Sequence, residues 1–441
     1  MSFNEWMALA MLAGFFGMLM LGIPIAISLA VSGFVFGFIG FGSGLFNLVP
    51  ARIFGVVANY QWLAIPLFVF MGVMLEKSRL ADDLLDVVGH LAGGLRGGMA
   101  IGIIVVGVLL GATTGIVGAT IITLGMLTLP TLLRRGYDPG VACGSICASG
   151  TLGQIIPPSL ILIVLSDIMQ LSVGTLFAAA VGPGLLLAAV YCIYIVILGM
   201  VSPEKVPPLP KDERDLVSRR QLWLRFVRVV VPPLLLVFSV LGSIIGGVAA
   251  PTEAAAMGAI GAILVTIGAR RFSKKALLET VESTAKITAT MMFILVCAQI
   301  FALAFRGLNG EDLIHDLFKL VPGGVNSDIL FLMALIFVLG FFLEWIEISF
   351  IAVPLFLPVF IAQDVNLVWL TMLICLNLQS SFLTPPFGWA LFFLKGVAPP
   401  EVKTIHIYKG VVPFIAMQFV AIAIVFVVPD IALWLPKYIG W

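Results

Sequence analysis

The chain has 441 residues, 61% of them hydrophobic and only 11% charged. A soluble domain carries about 25% charged residues, so this composition excludes a water-soluble globular protein and indicates an integral membrane one. A net charge of +1 gives no electrostatic basis for binding nucleic acid or an acidic partner.

In chain order, apolar runs at about 5–22 and 23–46 predict two membrane spans divided by Gly22-Ile23-Pro24, and a third span covers about 61–77. The N-terminal run has no basic leader or cleavage pattern and is read as a retained helix. From Glu76 to His90, Leu80, Leu84, Leu85 and Val88 recur at helical spacing among Asp82, Asp83 and Asp86. That pattern predicts an amphipathic helix along the membrane surface.

The apolar stretch 98–135 is interrupted near Gly111-Ala-Thr-Thr-Gly115. Its arms fall short of the roughly 20 residues needed to cross, so a re-entrant hairpin is predicted, with its tip at Thr113–Thr114. A fourth span (139–165) contains Pro157-Pro158, and a fifth runs over about 176–201.

Residues 202–228, rich in proline and charge, read as a solvated cytoplasmic linker. Spans at about 229–247, 251–268 and 286–305 follow, then a surface helix at 310–320. Arg306, where the eighth span ends, has Glu311 and Asp312 as nearby partners. A second hairpin (327–362) places Glu344 and Glu347 at its tip. A span at 365–395 contains Pro385-Pro386, and a last span covers about 410–430. The five cysteines lie in apolar segments and the three histidines lie far apart, so no transition-metal site is expected.

The two halves share a register. Leu129-Pro130 recurs as Leu357-Pro358, Ile146-Cys147 as Ile374-Cys375, and Pro157-Pro158 as Pro385-Pro386, all at an offset of 228. The predicted fold is therefore an all-α integral membrane protein with two repeats, 1–201 and 229–441, each holding five spans and one hairpin. Because five is odd, the second repeat is inverted, an arrangement used by secondary transporters. Charge agrees. If Arg134-Arg135 is cytoplasmic, only Arg52, Arg306, Lys319 and Lys437 of the 24 Lys and Arg fall outside. Both termini are then extracytoplasmic.

Proline pairs break each of these spans at mid-membrane. Hydroxyls, amides and carbonyls at a break facing a hairpin tip make a hard, mostly neutral cage suited to Na⁺, while helix N-termini suit an anion. The first cage draws on Thr113, Thr114, Ser149, Thr151 and Gly153. The second draws on Glu344, Gln379, Ser380 and Thr384. Gln154, Ser159, Glu347, Asn377 and Ser381 are the candidates for substrate contact. For each hydroxyl the competing role is a local bond to its own helix. A carboxylate at membrane depth is a functional candidate by default, and Glu344 leaves proton coupling open. No zinc motif, phosphate loop or nucleophile elbow is present, so an enzyme is not expected.

Gly150-Thr-Leu-Gly-Gln-Ile-Ile-Pro-Pro-Ser159 and Ser381-Phe-Leu-Thr-Pro-Pro-Phe-Gly388 resemble the signature breaks of the DctM-type large membrane subunit of TRAP transporters. Arg134-Arg-Gly-Tyr-Asp138 and Gly396-Val-Ala-Pro399 fit as well. The resemblance implies Na⁺-driven, elevator-type uptake of small organic carboxylates across a bacterial or archaeal cytoplasmic membrane. It also implies a periplasmic substrate-binding protein and a DctQ-type small membrane subunit, the latter expected here as a separate chain. One departure stands out. Many members carry a Ser-Gly-Ser tip and a nearby Asp in hairpin one, where this chain has Thr114-Gly115-Ile116 and Thr120. A symporter or antiporter of the same fold that works without a binding protein is the alternative.

Overall fold

The computed structural model describes residues 2–78, 80–114, 117–210, 219–385 and 388–441. Among these, the ordered elements are helices, with no β-strand. The first half contains α1 (Phe3–Met20), α2 (Ile25–Phe41), α3 (Leu45–Val57), α4 (Ala64–Lys77), α5 (Leu80–Ala92), α6 (Gly98–Thr114), α7 (Val117–Arg134), α8 (Pro139–Leu152), α9 (Leu160–Ile168) and α10 (Val173–Val201). The second contains α11 (Arg219–Ile245), α12 (Pro251–Gly268), α13 (Lys274–Gly307), α14 (Gly310–Lys319), α15 (Val325–Leu339), α16 (Trp345–Ala362), α17 (Leu367–Leu383), α18 (Trp389–Val397), α19 (Thr404–Val427) and α20 (Asp430–Tyr438).

Nine helical stretches of the described residues, with α2 and α3 counted as one, are long and apolar enough to cross a membrane. The repeat seen in sequence is a repeat in packing. If α2 matches α12 and α4 matches α13, a two-fold axis requires that α2 pack on α13 wherever α12 packs on α4, and both contacts are extensive. The same reciprocity joins α8 to α19 and α17 to α10. It also joins α9 to α16 and α18 to α7. Helices α3 and α20 have no counterpart in the other half, and neither was predicted. Leu45, Val49 and Val56 supply a buried stripe on α3, whose polar and Pro50 positions hid its helical character.

At the centre lie α8 and α17. Every residue from Val141 to Leu152 and from Leu370 to Leu383 is buried. Each helix starts from a side-chain cap: Asp138 accepts from the Val141 N–H at 3.0 Å, and Asn366 from the Trp369 N–H at 3.1 Å. Lipid tails are as apolar as leucine, so helix pairs in a membrane gain by bringing backbones close through small residues. The α8–α19 contact is built this way: a Cβ added to Gly144 would stand 2.1 Å from the Gly410 carbonyl oxygen.

The predicted linker is corrected on two counts. Residues 219–228 belong to α11, where Trp223 and Phe226 pack edge to face at 5.4 Å and the arginines mark the helix's polar end. Residues 203–209 are docked through two buried side chains, while Glu204, Lys205 and Pro208 stay exposed. Val206 and Leu209 are buried, the Leu209 N–H donates to the Gly93 carbonyl at 2.7 Å, and the Gly97 N–H donates to the Val206 carbonyl at 2.9 Å. Gly93 permits this, since a Cβ there would lie 1.8 Å from Leu209. Residues 211–218 lie outside the described residues.

The eighth span also extends further than predicted: α13 begins at Lys274, and its extra turns carry Glu279, which pairs with Lys77 at 3.3 Å. Arg271–Asp83 (3.3 Å) and Arg225–Asp86 (3.7 Å) tie α5 to the same region. Toward the other end of α13, Arg306 pairs with Glu311 at 2.9 Å, as expected.

Overpacking a tight helix crossing costs about 1–3 kcal/mol or more, so Gly144→Leu is expected to lower the thermal unfolding midpoint of the detergent-solubilised protein by several degrees. Gly17→Leu, where no atom lies within 4 Å of the new Cβ, leaves it unchanged. Fluorescence-detected size-exclusion chromatography after heating reads both.

Candidate functional site: a cavity between two broken helices

The first break separates α8 from α9 over residues 153–159, and the second separates α17 from α18 over residues 384–388. Hairpin one is the pair α6 and α7. Hairpin two is α15 and α16, joined by a turn over residues 340–344. Each hairpin was expected to approach the break of its own repeat. The structure shows this and adds a second contact. The α6 backbone abuts the end of α8: a Cβ on Gly111 would lie 2.2 Å from the Gly153 Cα, and one on Gly107 would lie 2.7 Å from the Ser149 carbonyl oxygen. In repeat two, Gly340 meets Ser381, whose Oγ would be 2.1 Å from an added Cβ. The far half of each broken helix then crosses to the other repeat. Gly118 and Gly125 of α7 lie against Phe393 and Leu394 of α18, and α9 packs on α16, whose Ile348–Ala352 segment widens into a π-turn.

These crossings border an open cavity of about 420 Å³. Its wall includes Gly118 and Ala119 of hairpin one, Gln154 and Phe382 at the two breaks, and Glu344 and Trp345 of hairpin two. Lys286, Thr290 and Met291 of α13 complete it. Lys286 was not singled out from sequence. Its place at the edge of the eighth span made it look like one more boundary cation, and only the fold turns it toward the breaks.

Of the five residues expected to contact substrate, Gln154 lines the cavity. The other four stand elsewhere. The Ser159 hydroxyl donates to the Gln154 carbonyl. Asn377 donates to the Met333 carbonyl at 2.6 Å and borders a separate apolar hollow between α15 and α19. Ser381 is wedged against Gly340, and Glu347 is buried beneath the hairpin tip with a carboxylate oxygen that has no hydrogen-bond partner among the described residues. The two tip carboxylates thus separate: Glu344 borders the cavity, and Glu347 lies within the protein.

Among the residues expected at the cation cages, the side chains of Thr113 and Thr114 lie outside the described residues, as does Ile116. Each described hydroxyl donates within its own helix. Ser149 donates to the Ser145 carbonyl (2.5 Å), Thr151 to Ala148 (2.9 Å), Ser380 to Asn377 (2.6 Å) and Thr384 to Ser380 (2.7 Å). A hydroxyl that has given its proton to a carbonyl keeps its lone pairs. Local bonding and cation ligation are therefore compatible for these groups. Gly153 sits at the C-terminus of α8 against Gly111, and the Thr151 and Leu152 carbonyls there accept from the Gln154 and Ile155 N–H groups at 3.1 and 3.2 Å. Tyr191 of α10 lies beside both Thr151 and Gln418 of α19, and all three are buried. The side-chain amides of Gln154 and Gln379 are buried, and none of their polar atoms has a partner among the described residues. No cluster of three His, Cys, Asp or Glu capable of holding a metal occurs among the described residues.

Two repeats that bring paired half-helices and hairpin tips to one cavity define a membrane transport protein, not an enzyme. Residues 12–431 match the family described as Tripartite ATP-independent periplasmic transporter, DctM component, and the chain belongs to that family. It is 32% identical over 398 residues to the C4-dicarboxylate TRAP transporter large permease protein DctM of Pseudomonas aeruginosa, spanning 88% of this chain and 89% of that one. It is 28% identical to the ectoine TRAP transporter large permease protein TeaC of Halomonas elongata, spanning 97% and 99%. The fold is similar to the YdaH transporter of Alcanivorax borkumensis, with a TM-score of 0.61 and 13% identity over 90% of this chain and 89% of that one.

The placement is checked by cysteine labelling in a background lacking the five native cysteines. Ala119→Cys and Thr290→Cys are expected to react with a charged thiosulfonate more than about tenfold faster than Asn377→Cys and Ser381→Cys, because reactivity follows access to water. Equal rates would contradict the cavity wall described.

Proposed function

We propose that this chain is the large permease subunit of a sodium-driven TRAP transporter that imports small organic anions, carboxylates foremost. A periplasmic binding protein delivers them, and a separate small membrane subunit completes the complex. The observation that carries this is the single cavity reached by both hairpins and both helix breaks, with Gln154, Lys286 and Thr290 offering hydrogen bonds to a polar ligand. Its volume suits a molecule of a few carbon atoms. Selectivity is shared with the delivering protein, which accounts for relatives named for ligands as different as C4-dicarboxylates and ectoine.

Na⁺ coupling is supported by the donor set. Hydroxyl lone pairs of Ser149, Ser380 and Thr384, helix-end carbonyls near Gly153 and the idle amide of Gln379 are hard, neutral oxygen donors. Such donors suit a monovalent cation. Glu344 adds one negative charge at the cavity's rim. In this scheme cation binding at the breaks fixes the half-helices, and the hairpins with α8, α9, α17 and α18 move as a unit past a frame formed by α2, α4, α12 and α13. The charge asymmetry of the sequence puts the Lys77–Glu279 and Arg271–Asp83 end in the cytoplasm and both termini outside.

The test is uptake by proteoliposomes holding this chain and its small subunit, with the binding protein added outside. Uptake of a carboxylate is expected to stop when the Na⁺ gradient is collapsed, and uptake that continues would overturn the coupling. A Cβ on Gly153 would lie 2.4 Å from the Gly111 Cα. Gly153→Ala is therefore expected to raise the Na⁺ concentration for half-maximal uptake by about tenfold, the scale on which a displaced ligand group acts.

A further inference from the structure

The wall of the central cavity carries two formal charges among the described residues, Glu344 on hairpin two and Lys286 on α13. An anion entering this space is repelled by the first, so the second decides whether it is held. In the structure Lys286 Nζ is 2.6 Å from Glu282 Oε1, one turn back on the same helix. Both side chains are largely exposed, at 74% and 66%. An exposed pair at this spacing is weak, because water screens it and two long side chains must be held in one geometry. The ammonium is thus held in place without being committed.

We infer that Lys286 is a specificity-determining residue of the transport site, and that a substrate carboxylate takes the place of Glu282 as its partner. This rests on the cavity being the substrate site. A lysine suits the role: its compact charge on a flexible stem makes no bidentate clamp of the kind arginine makes with a carboxylate, so the contact forms and releases readily. Helix α13 packs chiefly on α2 and α4, with a smaller contact to α16 of hairpin two. The cation therefore belongs to the frame, while Gln154 and Glu344 belong to the elements that carry the ligand. Glu282 acts as an internal competitor that keeps the cation oriented when no anion is present.

Opposite shifts from the two members of the pair are the diagnostic result. Uptake is measured in the reconstituted three-component system with a panel of labelled carboxylates of two to six carbons, at saturating Na⁺. Lys286→Gln is expected to raise KM by about tenfold with kcat nearly unchanged, the signature of lost binding common to ground and transition states. Lys286→Arg is expected to restore most of that loss. Glu282→Gln, which removes the competitor, is expected to lower KM by about two- to threefold, on the scale of one exposed charge pair. An unchanged KM in Lys286→Gln, or a rise in both Lys286→Gln and Glu282→Gln, would overturn the assignment and leave the transport function intact. Wild-type complex that takes up no member of the panel would instead overturn the carboxylate function and this inference with it.

Discussion

The structure depends on a contact between two backbones with no side chain between them. Gly111 of hairpin one and Gly153 at the first helix break stand so close that a methyl group on either would collide with the other's main chain. In water such a contact would be a minor one. In a bilayer it has special weight, because burying leucine gains nothing over lipid and close backbone approach is among the few attractive terms available. The contact holds the tip of a helix that does not cross the membrane against one that stops midway. Two C-terminal helix ends are thereby brought together. Gly107 against Ser149 continues the same seam a turn away. Repeat two reaches the equivalent result less symmetrically, with Ser381 filling the notch above Gly340.

Beside that seam, the hydroxyls near the breaks bond within their own helices. A broken helix inside a membrane leaves acceptors without donors, and Ser149, Ser380 and Thr384 return their protons to carbonyls of their own helices. Their oxygens stay available on the other side. The α8 and α17 interiors are buried throughout, so water does not compete for these bonds.

Much of this was legible in the sequence. The 228-residue register fixed two repeats, the proline pairs marked the breaks, and the short arms at 98–135 and 327–362 marked the hairpins. Spacing of this sort reports on the chain's own path, and so it succeeds for elements. It fails for orientation across the fold. Asn377 and Ser381 sit beside a break in sequence and Glu347 at a hairpin tip, yet they face α15, Gly340 and the protein interior. Lys286 sits 58 residues from Glu344, and only the packing of α13 brings both to one cavity. The docked segment 203–209 was hidden for a different reason: its proline and charge content matches a free linker, while the glycines that receive it lie more than a hundred residues earlier.

The idle amides of Gln154 and Gln379 have a consequence for how robust the molecule is. A buried amide left without partners costs roughly 1–3 kcal/mol, and a folded domain holds only about 5–15 kcal/mol in reserve. Leucine or methionine at these two positions would fit the surrounding helices better. A chain shaped for durability alone would carry them. The protein instead keeps two polar groups in its driest layer, where they weaken the fold in every moment that they are not bound to something else. Its centre is its least settled part, held together from outside by the glycine seams around it.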